Sequence, residues 1–345
     1  MIDIDGSHGE GGGQILRTAL SLSCLFRKPF RMFNIRVGRP KPGLMPQHLA
    51  AVGAARRISG AQVSGDGRGS TELVFSPGEA RGAEFVLDIG TAGSTVLVLQ
   101  TIVPALLFAS GESEVVVSGG THVPFSPSYH YGAGVFVPAL RRLGLDIRLS
   151  IESYGFYPRG GGKIRARILP AKAIAPLRAV ERGKLLAVTG ESGVGNLPAA
   201  IAERQKEAAL AKIRPAIRGS GVAAEVRTVS VPTPGQGTFV FLTAESEGMV
   251  AGFCALGARG KRAETVGEEA ADAFLDHDAT GAALDPHLAD QLVPYLAMSG
   301  GESVFTTSRV TPHLLTNLLA VGLFRPFRYD VEGDLGKPGR VRIRP

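Results

Sequence analysis

Apolar residues at helical spacing alternate along the chain with short segments typical of strands. Three helices rich in Ala, Arg and Lys each lead through a glycine turn into a strand, at 47–58 and 61–63, 131–143 and 146–151, and 203–217 and 223–229. Four more apolar helices precede strands, at 14–25 and 30–37, 94–109 and 114–118, 288–299 and 302–307, and 313–321 and 327–331. Alternating helices and strands with short links predict an α/β (α+β) fold.

Two segments, 170–184 and 277–286, are rich in Pro, Ala, Gly and charged residues. We predict that they are linkers. Between them lie a strand, a charged helix, further strands and a final helix. We therefore predict a small α/β domain at 184–277, inserted into a large domain formed by 1–183 and 278–345.

Composition narrows the class of protein. With 44% hydrophobic and 20% charged residues over 345 positions, the chain can form a sizeable core. No segment approaches the ~20 apolar residues of a membrane span, and the acidic, glycine-rich start is unlike a secretory signal. Cys24 and Cys254 lie in apolar contexts, and we expect both to be reduced residues of the core. Reduced cysteines in turn predict a cytoplasmic protein. The net charge of +7 favours an anionic partner such as a nucleotide or nucleic acid.

One candidate nucleophile stands at a predicted helix start. Thr311 is a suitable N-cap, Pro312 suits the first helical position, and His313 follows within the first turn. The free N–H groups and positive dipole end of that turn attract phosphate and disfavour a protonated imidazole, which leaves it nucleophilic. The alternative to a nucleophile is a structural histidine whose ring is hydrogen-bonded only to the end of its own helix. The predicted buried face of this helix comprises Leu314, Leu315, Leu318 and Leu319.

No Walker A, HExxH or GxSxG motif occurs, so phosphate would need another cradle. Residues 9–14 combine four glycines with Glu10, which is suited to hold Mg²⁺, and precede a helix carrying Arg17. The stiff basic loop 38–43 contains Arg39 and leads to Gln47. Each segment has a plain alternative, a flexible turn or a solvated basic loop. A third glycine-rich segment, 157–163, is also a candidate cradle, although taken alone it better suits a hairpin with exposed charge.

A further polar group stands at the start of another apolar helix, where His287, Asp290 and Gln291 could share a cleft with His313. Asp290 at that position also suits ordinary helix capping. The remaining histidines show no ligand spacing and are interpreted as structural or exposed: His8, His48, His122, His130 and His277.

Taken together, the segments GEGGGQILRTALSLS, RPKPGLMPQHLAA, GTAGSTVLVLQTIVPAL, VSGGT, GFYPRGGG, HLADQLVPYLA and VTPHLLTNL resemble the RNA 3′-terminal phosphate cyclase family, in order and spacing over nearly the whole chain. The resemblance implies a large domain of three repeated βαβαββ-like units with a smaller inserted α/β domain. It also implies ATP-dependent conversion of an RNA 3′-terminal phosphate to a 2′,3′-cyclic phosphate, through a covalent histidine–AMP and then an RNA-adenylate.

The resemblance assigns roles to residues of this chain. His313 is the implied nucleophile, and Glu10 and Arg17 complete the catalytic set. Glu10 contacts the metal, Mg²⁺ or Mn²⁺. The groups implied to bind the RNA 3′-phosphate end are Arg17, Arg39 and Gln47. The implied ATP pocket comprises Gln100, Pro127, His287, Asp290 and Gln291. We expect Asp290 to orient the His313 ring directly or through Gln291.

Two other functions remain open from the sequence. The first is that of a non-catalytic ribosome-biogenesis relative of the same fold. That relative lacks the nucleophilic histidine, so the presence of His313 argues against this interpretation. An enolpyruvyl transferase has a similar repeat architecture and would act on a small phosphorylated substrate. Because no implied site residue falls in 184–277, we expect adenylation not to require the inserted domain.

Overall fold

The computed structural model describes all of residues 1–345, arranged as four four-stranded sheets with helices packed against them. The first sheet has the order β1-β2-β4-β3, with β1 parallel to β2 and β4 antiparallel to both of its neighbours. Its elements are β1 (Ile2–Asp5), α1 (Gln14–Phe26), β2 (Phe30–Phe33), α2 (Pro46–Ser59), β3 (Gln62–Ser64) and β4 (Leu73–Ser76).

The second sheet repeats this pairing in the order β5-β6-β8-β7. Its elements are β5 (Glu84–Asp88), α3 (Thr95–Leu106), β6 (Ser113–Gly119), α4 (Tyr129–Tyr131), α5 (Val137–Arg142), β7 (Ile147–Ser153) and β8 (Gly162–Ile168). A π-helical turn, Gly132–Phe136, joins α4 to α5, so the helix predicted at 131–143 forms with an interruption.

After the short strand β9 (Arg178–Ala179), the chain forms a separate sheet in the order β11-β10-β12-β13. Its elements are β10 (Leu185–Gly195), α6 (Ala199–Ala216), β11 (Ala223–Ser230), β12 (Gly237–Ser246), β13 (Val250–Leu256) and α7 (Ala263–Asp278). We call residues 185–278 the inserted segment. It has its own cluster of 16 buried apolar residues, among them Val188, Leu242 and Phe274.

The chain then completes a third sheet, in the order β9-β14-β16-β15, with the same pattern of parallel and antiparallel pairs. Its remaining elements are α8 (Pro286–Leu296), β14 (Ser303–Thr307), α9 (Pro312–Phe324), β15 (Arg328–Glu332) and β16 (Gly339–Arg344). Three sheets therefore share the element order βαβαββ, the third interrupted by the inserted segment. The predicted α/β class is confirmed.

Helix packing brings two distant parts of the sequence together. Helix α1 contacts α2, α3 and α9, and α9 also contacts α8, within a main core of 69 buried apolar residues. At this junction the Thr18 hydroxyl donates to the Asn317 side-chain oxygen at 2.7 Å, and Gln14 Nε2 donates to the His313 carbonyl at 3.3 Å. The first turns of α1 and α9 consequently lie side by side.

Two burial expectations are wrong. Leu314 and Leu318 are buried as predicted, but Leu315 and Leu319 are 40% and 41% exposed, because α9 is covered on only one side of its apolar surface. Cys254 is exposed on β13, whereas Cys24 lies in the core. The helices lack the combination of length and apolar composition that a transmembrane segment needs.

Candidate active site

His313 stands in the first turn of α9, as its neighbours predict. The Thr311 hydroxyl accepts a hydrogen bond from the Leu314 amide at 3.0 Å, and Pro312 is the first helical residue. Nδ1 of His313 is buried 3.0 Å from Glu10 Oε2, although the two atoms are not aligned for a hydrogen bond. Since 39% of the side chain remains exposed, Nε2 is the ring nitrogen that a ligand can reach.

The environment of His313 favours a neutral ring. Burial lowers the pKa of the imidazole below 6.5, and the neighbouring cations Arg17 and Arg39 lower it further. The Glu10 carboxylate opposes them by raising that pKa. The net direction is downward, so the unprotonated, nucleophilic form prevails at neutral pH.

The N-terminal glycine run packs directly on α9. Gly9 has a φ of +65°, and a Cβ there would overlap the Thr316 hydroxyl, so only glycine fits this approach. The carbonyl of Pro312 accepts a hydrogen bond from that hydroxyl at 2.7 Å. The glycine run therefore lies against the turn of α9 that carries His313.

Glu10 and Arg39 form an ion pair beside this turn of α9. Arg39 also donates to the Glu10 carbonyl at 3.0 Å, which fixes the basic loop against the glycine run. Arg36 holds that loop from within, because its guanidinium donates to the carbonyls of Lys41 and Gly43 at 2.9 and 2.8 Å. The basic loop, for which the sequence left a solvated loop as the alternative, is thus held against the glycine run by hydrogen bonds.

Arg17 and His48 lie beneath the glycine run. A Cβ at Gly13 would lie 2.8 Å from Arg17 Nη1 and 2.5 Å from His48 Nε2. Burial lowers the pKa of Arg17 to about 10, which leaves the guanidinium charged at neutral pH. Burial and the adjacent arginines lower the pKa of His48 to about 3, and its Nδ1 accepts a hydrogen bond from the Met45 amide at 3.0 Å.

His48 was interpreted from the sequence as structural or exposed, yet it adjoins the site. A signal for it existed, because it directly follows Gln47 within the quoted segment RPKPGLMPQHLAA. Asn317 was also missed, although it lies one helical turn after His313, on the same side of α9.

The expected contact between Asp290 and a ring nitrogen of His313 is absent. Glu10 lies beside His313 Nδ1 instead. Asn317 Nδ2 instead donates to the Asp290 carbonyl at 2.8 Å, so α8 and α9 meet through the backbone of Asp290. Burial raises the pKa of the Asp290 carboxyl well above its usual range, and the nearby Asp285 carboxylate adds to that effect. Capping of α8 falls to Asp285, which accepts from the His287 and Leu288 amides.

The remaining predicted pocket residues are partly brought together. Gln100 on α3 donates to Gln291 on α8 at 2.9 Å. The His287 ring stands edge-on to Tyr131, with 6.2 Å between ring centroids. Pro127 is half-buried in the loop between β6 and α4.

Gln47 connects the first and second sheets. Its side-chain oxygen accepts a hydrogen bond from the Ser94 amide at 3.0 Å. Ser94 is the N-cap of α3, and its own hydroxyl accepts from the Leu97 amide. This contact extends the site from the first sheet to the start of α3.

The oxygen donors at this site suit a divalent cation that is bound partly by the protein and partly by substrate phosphate. No group of three or more His, Cys, Asp or Glu side chains forms a closed metal cage in this structure. Glu10 is nevertheless a half-exposed carboxylate beside the glycine run. Mg²⁺ typically takes one or two carboxylates together with substrate phosphates and water, and Glu10 fits that mode.

Comparison with known proteins places the chain in a family. The family model for RNA 3′-terminal phosphate cyclase matches residues 8–331. A protein of that name from Methanopyrus kandleri is 45% identical over 351 positions, covering 100% of this chain and 99% of its own. Another from Methylococcus capsulatus is 44% identical over 351 positions, covering 99% and 96%.

A solved EPSP synthase from Acinetobacter baumannii aligns with a TM-score of only 0.30 at 14% identity, covering 99% of this chain and 47% of that one. A likeness this low does not indicate a shared architecture. The full-length relatives and the family model do identify the chain. This protein belongs to the RNA 3′-terminal phosphate cyclase family.

Proposed function

We propose that this enzyme uses ATP to convert the 3′-terminal phosphate of RNA into a 2′,3′-cyclic phosphate. The observation that carries the proposal is the partly exposed imidazole of His313, with Nδ1 buried against Glu10 and the glycine run and Arg39 beside it. Family membership and the names of the relatives support the same reaction.

In the first step the Nε2 lone pair attacks the α-phosphorus of ATP. A nitrogen–phosphorus bond forms, the bond from that phosphorus to the bridging oxygen breaks, and pyrophosphate leaves. Glu10, 3.0 Å from Nδ1, stabilises the positive charge that the ring acquires. Arg17 and Arg39 neutralise charge that develops on the phosphoryl oxygens.

Glu10 would also hold a divalent cation, Mg²⁺ or Mn²⁺, whose contribution is to neutralise the triphosphate. Its carboxylate pairs with Arg39 in this structure, so cation binding would redistribute that ion pair. We assign the ATP pocket to the Gln100–Gln291 pair, His287, Pro127 and Asp290. Burial raises the pKa of the Asp290 carboxyl well above its usual range, which favours the neutral form that can donate a hydrogen bond.

In the second step an oxygen of the RNA 3′-phosphate attacks the adenylate phosphorus. The nitrogen–phosphorus bond breaks, His313 is regenerated, and an RNA-adenylate anhydride forms. The neighbouring 2′-hydroxyl then attacks the terminal RNA phosphorus, loses its proton and expels AMP. Arg17, Arg39 and Gln47 are the groups we assign to the RNA end, since a planar guanidinium binds phosphate through two parallel hydrogen bonds.

Incubation with α-³²P-ATP and Mg²⁺ tests the nucleophile. We expect an acid-labile label on the protein that is absent from His313→Ala. Leu315→Ala is the matched control, because it alters the same turn of α9 at an exposed position and leaves the imidazole in place. Label that persists in His313→Ala would exclude His313 as the attacking group.

Product analysis tests the overall reaction. An oligoribonucleotide with a 3′-phosphate should yield a 2′,3′-cyclic end that resists phosphatase, with release of AMP. A non-catalytic ribosome-biogenesis protein would give neither adenylate nor cyclic product. An enolpyruvyl transferase would give no adenylate and would act on a small phosphorylated substrate instead.

A further inference from the structure

The loop Tyr157–Gly161, called here the 157–161 loop, is built against the rim of the candidate site. Its turn is closed by a hydrogen bond from the Gly160 amide to the Phe156 carbonyl at 2.7 Å. Gly160 has a φ of +67°, and a Cβ there would lie 2.8 Å from Ala92 Cα and 3.0 Å from the Thr91 carbonyl oxygen. The loop is therefore in backbone contact with residues 91–92.

Residues 91–92 lead directly to Gln47. The next residue, Gly93, is so close to Gln47 that an added Cβ would lie 3.1 Å from the Gln47 Cβ. The residue after that, Ser94, donates its amide hydrogen to the Gln47 side chain at 3.0 Å. The 157–161 loop thus adjoins the end of the site to which we assign the RNA terminus.

The opposite side of the loop rests on the inserted segment. A Cβ at Gly161 would lie 2.7 Å from Pro234 Cγ, and one at Gly235 would lie 3.3 Å from Arg159 Cβ. Asn196 holds this part of the inserted segment in place, because its Nδ2 donates to the carbonyls of Thr233 and Gly235, both at 2.8 Å. The loop is consequently supported on two sides.

The polar ends of two side chains on this supported loop make no hydrogen bond or ion pair within the fold. Tyr157 is 69% exposed. Arg159 is exposed and has no carboxylate partner, whereas the nearby Lys163 lies 3.6 Å from Glu152. An aromatic ring and an unpaired guanidinium on one loop match the two parts of a nucleotide, because rings stack on bases and cations bind phosphates.

We propose that the 157–161 loop binds the RNA strand just 5′ of its terminal nucleotide. Tyr157 stacks on an unpaired base and Arg159 binds a backbone phosphate. This inference rests on the proposed function, since the 3′-phosphate must lie at Arg39 and Gln47 for the loop to face the preceding nucleotides. The sequence alone leaves this segment between a phosphate cradle and a hairpin with exposed charge.

Binding measured without ATP tests the proposal independently of catalysis. A fluorescent ten-nucleotide RNA with a 3′-phosphate is titrated with enzyme and followed by anisotropy, beside a labelled nucleoside 3′-monophosphate, which has no preceding nucleotide for the loop to bind. Tyr157→Ala should raise the Kd of the ten-mer by about 5- to 50-fold, whereas Tyr157→Phe should retain its affinity. Arg159→Ala should reduce the slope of log K against log salt by about 0.7.

Arg148→Ala, which removes an exposed cation on β7, is the matched control and should change neither quantity. Binding of the nucleoside 3′-monophosphate and labelling by α-³²P-ATP should remain unchanged in every variant. A ten-mer Kd within twofold of the parent in both Tyr157→Ala and Arg159→Ala would overturn the proposal, as would equal loss for the nucleoside 3′-monophosphate. If the loop variants lose ten-mer affinity but the parent protein never forms an adenylate, the RNA contact would be supported and the proposed reaction rejected.

Discussion

At the scale of single residues, the contact between Glu10 and His313 joins the two ends of the chain. Burial lowers the pKa of the imidazole, and the Glu10 carboxylate partly restores it. The carboxylate therefore has two opposing effects on the proposed nucleophile. It reduces the fraction of neutral ring, yet it stabilises the charged ring that results from attack on phosphorus.

Glu10→Gln separates these effects. Without the carboxylate charge the imidazole pKa should fall further, so the neutral form should persist to lower pH. We expect the His313 resonance, identified by its loss in His313→Gln, to titrate below 6.5 in the parent protein and lower still in Glu10→Gln. Histidine NMR over a pH series in the absence of ATP provides the measurement.

Glu79→Gln is the control for this titration, because Glu79 belongs to an exposed pair with Arg27 away from the site. It should leave the His313 midpoint where it is. An upward shift in Glu10→Gln would contradict the assignment of Glu10 as the group that faces Nδ1.

Particular residues show what could be predicted at this scale. Thr311, Pro312 and His313 form the expected helix start because capping depends on neighbours in sequence. The partner of the His313 ring could not be predicted in the same way. Asp290 appeared well placed because its helix adjoins α9, but packing turns its backbone toward Asn317 and brings in Glu10 from the other end of the chain.

At the scale of elements, the glycine run depends on contacts with α9 that tolerate no side chain. Gly9→Ala would place a methyl group against Thr316 and force a positive φ on alanine, which costs about 1 kcal/mol in backbone strain alone. We expect the loop to shift and Glu10 to leave the His313 ring. Adenylation should fall at least tenfold, a loss of about 1.4 kcal/mol in transition-state stabilisation.

Gly38→Ala is the matched substitution in the neighbouring basic loop, since a Cβ there would have no heavy atom within 4 Å. Its adenylation rate should remain within twofold of the parent. Equal rates for Gly9→Ala and Gly38→Ala, measured by label incorporation, would show that the fit of the glycine run to α9 is unimportant.

Helices were the most predictable elements because their apolar spacing and caps are local. The side of α9 that is covered was not predictable, since leucines at 314, 315, 318, 319 and 323 give it no single apolar face. Its burial is set by α1 and α8, which the local pattern does not describe. Cys254 was misplaced for a similar reason, because its apolar neighbours in the sequence do not show which side of β13 is covered.

At the scale of the whole molecule, a polar chain links the inserted segment to the second sheet. His122 Nε2 lies 2.8 Å from His130 Nδ1, and His130 Nε2 lies 3.4 Å from Glu191 Oε2 on β10. Arg227 on β11 pairs with the other Glu191 oxygen at 2.5 Å. Both histidine rings pack on Phe239, with centroid distances of 4.5 and 4.9 Å.

This interface changes how the inserted segment should be tested. The sequence suggested that adenylation does not require it, because it contains none of the implied site residues. Removing it would take away Phe239 and uncover the two histidine rings that pack on it. It would also remove Gly252, whose amide donates to Asp285, the cap of α8, at 3.5 Å. A deletion would therefore disturb α8 itself, and a point substitution in the polar chain is the sharper experiment.

Glu191→Gln is that substitution. Hydrogen bonding from His130, reinforced by Arg227, lowers the pKa of Glu191 to about 2. A carboxyl group whose pKa is lowered by folding stabilises the fold at pH values above its unfolded pKa of about 4.5. This stabilisation is lost as the pH falls toward 2. The variant should unfold with a free energy about 1–2 kcal/mol lower at pH 7, by loss of charged hydrogen bonds, and the difference should narrow below pH 4.5.

Thermal unfolding across pH, together with proteolysis of the linker at 170–184, measures this loss. The adenylation rate of the folded variant should stay within twofold of the parent, because the contacts of His313, Glu10 and Arg17 lie outside the inserted segment. A stability difference that is constant from pH 7 to 3.5 would show that the Glu191 charge does not stabilise the interface. A fall in adenylation with unchanged unfolding would instead show that the inserted segment acts on the catalytic cleft, since stability and chemistry would then respond to Glu191 separately.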